Sequence, residues 1–242
     1  MNSRFVSETA KISTSTKLGF NVVVGKNVVI NDNVTIGNNV TIYENVEIGS
    51  NVFIWDNAVI GRIPMGVSSV LSNVHVETGR TKIKKKCVIG CNSVIYIDTV
   101  IGEDTLVSDN VVIRERTILE GNNIIGPNSF IQKDCWIGKK TRLIQQSSLA
   151  SGTIIGENNF LSSGFTCVSD NTFGVDGYSS EKVGPFIGNN NLIGPNVTIL
   201  DNLSIGDHNI IGAKSLLTKT IGSDGVYFGA PARYIRDNKE AN

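Results

Sequence analysis

Aliphatic residues return along this chain at every sixth position. From Leu18 the series runs Val24, Ile30, Ile36, Ile42, Ile48, Ile54 and Ile60, and Val6 and Ile12 extend it backwards. A longer series steps by six from Ile83 to Cys167, through Ile95, Ile101, Ile113, Ile131 and Ile155, and a third runs from Ile187 to Leu217. Together they mark 31 hexads. Asn stands three places after each anchor from Leu18 to Ile54, at 21, 27, 33, 39, 45, 51 and 57, followed by Val or Ala. Gly often follows the anchor itself, as at Gly25, Gly37, Gly49 and Gly61.

A period of six matches neither the 3.6-residue repeat of a helix nor the alternation of a long strand. It is met by short strands joined by tight corners, where Asn and Gly supply backbone conformations that other residues resist. Three hexads make a triangular coil of 18 residues, and stacked coils pair as parallel strands about 4.8 Å apart. The anchors then form an inward aliphatic column. About ten coils give a prism roughly 48 Å long by the same spacing. The pattern predicts an all-β parallel β-helix over residues 1–222, one solenoid rather than two globular domains.

Two insertions break the beat. Ile60 to Ile83 and Cys167 to Ile187 are too far apart for one hexad, so loops must lie within 61–82 and 168–186. Both are rich in Gly, Ser and polar or charged residues, and loops on a rigid scaffold often carry binding sites. From Ser223 the period is lost. Residues 223–242 are expected to leave the prism as a cap, with a short helix near Tyr234–Glu240.

Composition narrows the function. The 22 basic and 22 acidic residues cancel, which argues against non-specific nucleic-acid binding. No apolar run approaches the roughly 18 residues of a membrane span. The opening Met1–Glu8 lacks the apolar core of a signal peptide, so the expectation is a cytoplasmic protein with no nucleic-acid or membrane partner. Cys87 and Cys135 fall in the small inward column and Cys167 on an anchor, where thiols pack as small hydrophobes. Cys87 and Cys91 have no second pair or His cluster to complete a zinc site, and no metal is expected.

The hexads, ending in Ile211-Gly212-Ala213-Lys214-Ser215 and then Gly229-Ala230-Pro231-Ala232-Arg233, resemble the hexapeptide-repeat acyltransferases over nearly the whole chain. The resemblance implies a left-handed helix and a homotrimer, with acyl-coenzyme A as co-substrate in the groove between prisms. It implies that Pro231, Ala232 and Arg233 flank the adenosine, that Lys214 and Lys219 lie near the phosphates, and that Gly194, Gly212 and Ala213 meet the pantetheine. Gly194 and Gly212, 18 apart, stack on one face. Lys219 and Arg233 also read as ordinary solvated charge. Within the family the chain is most similar to nucleotide-sugar N-acyltransferases, whose acceptors include dTDP- or UDP-linked amino sugars. The segments Gly61–Pro64 and Arg80–Ile83 resemble the ends of the substrate loop of lipid A acyltransferases.

Amide formation from a thioester needs an unprotonated amine, an oxyanion donor and a proton acceptor. Many relatives use a histidine, and only His75 and His208 exist here. His208 falls in the corner column of Asn and reads as a turn residue. His75, beside Glu77 in the first insertion, is either the base or an exposed loop residue. Where the lipid A enzymes carry their base, this chain has Tyr96. Residues 18 apart are vertical neighbours, so Asp98, Arg116 and Asp134 form one ladder, and Tyr96 lies beneath Arg114. The rungs Ile95–Val100 and Ile113–Ile118 lack the usual Gly and Asn, and departures from the structural rule mark candidate sites. Asp98 or Glu115 is the candidate proton acceptor, by way of water; the alternative is an outer salt ladder. Arg62 and Arg80 bracket the first insertion and, with Arg114 and Arg116, are candidate ligands for a nucleotide diphosphate. Lys84, Lys85 and Lys86 form a basic strip or a solvated face.

Other classes fit less well. A γ-type carbonic anhydrase needs three zinc-binding histidines, one more than the chain holds. An ice-binding solenoid would show a flat array of Thr, which is scattered here. A non-catalytic β-helix, O-acetylation of a sugar, and N-acylation of an amino acid remain as alternatives.

Overall fold

The computed structural model describes residues 4–65, 79–170 and 184–238. Most hexads form a two-residue strand that ends on its anchor, such as Val29–Ile30, Val88–Ile89 and Val112–Ile113. Every third strand joins the same sheet, giving three sheets of 11, 10 and 12 strands. The chain is an all-β, left-handed parallel β-helix of hexapeptide rungs, and no helix occurs among the described residues. None is therefore long and apolar enough to cross a membrane.

The register repeats at 18 residues: Val94 pairs with Val112, and Val112 with Phe130. Across the first insertion the step lengthens to 35, from Ile48 to Ile83 and from Ile60 to Ile95. Across the second it is 32, from Ile155 to Ile187 and from Cys167 to Ile199. Each insertion is looped out without disturbing the stacking of the coils on either side. That is expected where every coil contacts only its neighbours.

The anchors from Val24 to Leu217 are buried. A second inward column follows each corner. It is aliphatic at Val22 to Ala58 and then mostly polar, with Ser93, Thr99, Thr105, Thr117, Asn123 and Thr141 all buried. Most of these groups hydrogen-bond the carbonyls of the next coil: Thr99 Oγ1 donates to Arg114 O at 3.2 Å and Asn123 Nδ2 to Gly138 O at 2.7 Å, while Thr105 Oγ1 donates to Glu103 O of its own coil. Buried polar groups need such partners.

Corner residues adopt the left-handed region, from φ 53° at Asn21 to 61° at Asn57. Asn tolerates this better than other L-residues. The same conformation is imposed on Lys86, Asp98, Arg116, Lys140, Gln146, His208 and Lys214.

The tail corrects the expectation of a helical cap. The last coil shortens to 16 residues, with Ile205 bridging Ile221 and Ile211 pairing with Tyr227. Gly225–Phe228 thus continues the third sheet, and Arg233–Asp237 folds back antiparallel on it. The open edge of Gly225–Phe228 offers backbone partners to the returning segment, and the turn at Gly229, φ 101°, suits only glycine. Residues 239 and 240 of the expected helix lie outside the described residues.

Candidate active site

Both insertions open at the same edge of the prism. The first leaves the strand Val59–Arg62 of the first sheet and returns at Thr81–Ile83 of the second. The second leaves Thr166–Cys167 of the first sheet and returns at Phe186–Ile187 of the second. Between them lie the corners that follow Ile95, Ile113, Ile131 and Leu149. Tyr96, Asp98, Arg114, Glu115, Arg116 and Asp134 all sit on this strip.

The described ends of the first insertion lie on the corner of Tyr96. Ile97 N donates to Arg62 O at 3.0 Å, and Gly79 packs so tightly on the Asp98 side chain that a Cβ there would collide with it. The third hexad position is half-buried or exposed in most coils, yet Ile97 is only 6% and Glu115 5% exposed.

Tyr96 stands between two guanidiniums. Arg62, from the coil below, places Cζ 5.3 Å from the ring centroid, and Arg114, from the coil above, places it at 4.8 Å. Both are within the range of attraction between a cation and an aromatic face. Arg114 also donates to Glu115, Nε to Oε2 at 2.7 Å and Nη2 to Oε1 at 3.0 Å. Both oxygens of Glu115 are thus engaged in a two-pronged pair. Asp98 is half-buried at its left-handed corner.

Of the other candidate cations, Arg116 pairs with Asp134, and Arg80 lies 3.5 Å from Glu47. Lys85 pairs with Glu103 at 3.2 Å. Sequence reasoning placed Arg62 and Arg80 together at the mouth of the loop. In the structure Arg62 pairs in register with Tyr96 at the end of the first sheet, while Arg80, one residue before the second sheet, places its guanidinium beside Glu47. Counting by 18 set Tyr96 beneath Arg114 but missed Arg62 as the third member of the stack, although Gly61-Arg62 directly follows an anchor one coil below Ile95. His75 lies outside the described residues. His208 occupies the Asn corner column at φ 55°, with Nε2 3.1 Å from Asn190 Nδ2 and Nδ1 3.4 Å from Asp224.

The C-terminal candidates fall into two groups. Lys219, Ala232 and Arg233 line a cleft of about 300 Å³ with Leu217, Tyr227 and Tyr234. Its two tyrosine rings meet edge to face at 5.8 Å. Hydrogen bonding to Asp237 raises the Tyr234 phenol above its ordinary pKa. Gly194, Gly212, Ala213 and Lys214 instead line the corner between the third and first sheets. A Cβ on Gly194 would come within 2.7 Å of Ala213 N, and one on Gly212 would enter the Phe228 ring. Lys214 and Lys219 thus stand at opposite corners of the strand Leu216–Leu217. Pro231 is exposed between the groups. No group of three or more potential metal ligands occurs among the described residues.

Comparison with known proteins places these features in context. A family model described as the GMPPB C-terminal domain matches residues 1–124, and one described as bacterial transferase hexapeptide (six repeats) matches residues 184–219. Serine acetyltransferase 2 of Arabidopsis thaliana is 37% identical over 90 residues, 37% of this chain and 28% of the relative. A galactoside O-acetyltransferase of Escherichia coli K12 is 47% identical over 51 residues, 21% and 25% of the two chains. A probable macrolide acetyltransferase of Lysinibacillus sphaericus is 34% identical over 114 residues, 42% and 62% of the two. The chain spans less than two thirds of each of these relatives. A crystal structure of UDP-N-acetylglucosamine O-acyltransferase from Moraxella catarrhalis has a TM-score of 0.46 at 18% identity, covering 98% of this chain and 74% of that one. The GMPPB C-terminal model spans just over half of the sequence and the six-hexapeptide model its closing rungs, so this chain belongs to the hexapeptide-repeat transferase family.

Proposed function

We propose that the chain is an acyl-coenzyme A-dependent N-acyltransferase that acylates the amine of a nucleotide-linked amino sugar. The observation that carries this reading is the edge between the first and second sheets. It holds both insertions, the polar strip around Tyr96 and, at its C-terminal end, the Lys219–Arg233 cleft. Acetyltransferase relatives at 34–47% identity support acyl transfer.

Lys219 and Arg233 supply charge for the phosphates of the donor, and Lys214 does so from the opposite corner. In this reading an extended pantetheine chain lies along the backbone at Gly194, Gly212 and Ala213. These two groups belong to different edges of one prism, so a groove between neighbouring prisms would bring them together. The outward face of the third sheet suits such an assembly: Leu106 and Phe160 are 38% and Leu192 52% exposed in one column. A homotrimer follows in this reading.

The donor supplies an activated carbonyl and a leaving thiol whose pKa near 8.5 makes a strong general acid unnecessary. Asp98 takes the proton from the attacking amine, directly or through water, as the C–N bond forms and the C–S bond breaks. It is better placed for this than Glu115, whose oxygens are held by Arg114. Arg62, with Arg114 beside it, faces the acceptor's phosphates.

A thermal-shift panel tests the reading. Coenzyme A, UDP and dTDP are expected to raise the melting temperature, and the coenzyme A shift should vanish in Lys219→Ala/Arg233→Ala. Silence toward coenzyme A at millimolar concentration would overturn it. O-acetylation of a sugar is the second reading, favoured by the likeness to a galactoside O-acetyltransferase; acylation of hydroxyl rather than amine acceptors would establish it.

A further inference from the structure

We propose that the column Glu115–Arg114–Tyr96–Arg62 is a preset phosphate seat, in which Arg62 binds the anion and Glu115 is a positioning residue. The inference deepens the reading of the acceptor as a nucleotide-linked sugar and rests on it.

Glu115 is 5% exposed, and both its oxygens accept hydrogen bonds from Arg114. A carboxylate so buried requires a charged partner, and taking a proton from substrate would break that pair. Its effect is to neutralise Arg114 and fix the plane of the guanidinium, which then lies against Tyr96. With one face of the ring so covered, Arg62 takes its place on the other side at 5.3 Å.

Arg62 differs from its neighbours. Arg80, Arg114 and Arg116 each pair with a carboxylate. Among the described residues Arg62 has no ion-pair partner, and it is exposed. Its guanidinium presents donors in a planar fork that matches two phosphate oxygens. Stacking on Tyr96 holds that fork in place before the ligand arrives, which lowers the ordering cost of binding. The neutralised Arg114 contributes position rather than free charge. Among the described residues the seat therefore carries one positive charge beyond its own carboxylate, suited to one of the two phosphates of a diphosphate-linked sugar.

The test is titration calorimetry of the full-length chain with UDP, dTDP, inorganic pyrophosphate and uridine. UDP or dTDP and pyrophosphate are expected to bind, and uridine to bind at least tenfold more weakly. Arg62→Lys keeps the charge but loses the fork and should weaken UDP at least tenfold without changing the melting temperature, since the side chain is exposed. Tyr96→Leu should do the same, Tyr96→Phe should not, and Glu115→Gln should weaken UDP severalfold. Lys219→Ala should leave UDP binding unchanged. Failure of UDP, dTDP and pyrophosphate to bind, or binding indifferent to Arg62→Lys and Tyr96→Leu, overturns the seat. In turnover, Glu115→Gln should raise KM for the acceptor and leave kcat within about threefold. A hundredfold loss of kcat with the acid limb of the pH profile removed would make Glu115 the base and overturn its positioning role. The two readings fail separately. Arg62-dependent UDP binding without acyl transfer leaves the seat and removes the activity, whereas acyl transfer with Arg62-independent binding removes the seat alone.

Discussion

Arg116 and Asp134 lie 18 residues apart and close a two-pronged ion pair across one coil, Nε to Oδ1 at 2.6 Å and Nη2 to Oδ2 at 2.9 Å. The pair shows the solenoid bringing distant sequence together at a chosen height. The side chains are 32% and 41% exposed, so solvent screens much of the attraction. Asp134→Asn, which removes the charge and keeps a residue suited to the left-handed corner at φ 61°, should lower unfolding stability by no more than about 1 kcal/mol. Urea titrations at low and high salt check this, and the difference should shrink as salt rises.

Asp98 is held at a left-handed corner against Gly79 of the coil below. Asn is at least as well suited to that backbone as Asp, so Asp98→Asn should fold with an unchanged melting temperature. In the proposed reaction it should lose at least tenfold in kcat/KM. A smaller loss would remove Asp98 as the proton acceptor.

Gly212 faces the Phe228 ring with no room for a Cβ. Gly212→Ala should displace Phe228, loosen the last strand pair and weaken coenzyme A binding. Calorimetry on Gly212→Ala and on Gly212→Ala/Phe228→Ala checks the cause, since the second change restores the space.

The core and the corners should respond in opposite directions. Ile113 is fully buried, and Ile113→Ala should cost about 2–5 kcal/mol. Lys140 is exposed at φ 59°. Because Asn accepts that conformation more readily, Lys140→Asn should gain up to about 1 kcal/mol. Denaturant midpoints of the two variants measure both.

Burial pushes the Cys87 thiol up to about 11 and Cys135 up to about 12, and raises Cys167 as well. The folded state therefore keeps protons that the unfolded chain sheds near pH 8.5. Their contribution to stability is fully present below that pH and is lost as pH rises toward 11–12. At pH 8 a thiol reagent should label Cys91 alone in the folded protein and all four cysteines in denaturant. Rapid labelling of Cys87 or Cys135 without unfolding would contradict the packing.

The period, the inward column and the corner residues were legible because each hexad repeats one local geometry. Asn27, Asn45 and His208 take the same corner conformation wherever they occur. The ladder of Arg116 and Asp134 followed from counting by 18. Counting fails where an insertion changes the step to 35, and this hid Arg62 beneath Tyr96. The side-by-side pair of Arg114 and Glu115 was equally hidden, since spacing shows which coil a residue occupies but not where a long side chain turns. The antiparallel strand Arg233–Asp237 depends on an open sheet edge rather than on its own periodicity.

The most direct measurement is turnover of acetyl-coenzyme A with UDP- and dTDP-linked amino sugars, following release of free thiol and the mass of the product together. The account predicts one thiol released for each acylated amine, with Asp98→Asn slowed at least tenfold. Thiol release that is independent of any amine acceptor, or no turnover and no coenzyme A binding at millimolar concentration, would contradict it.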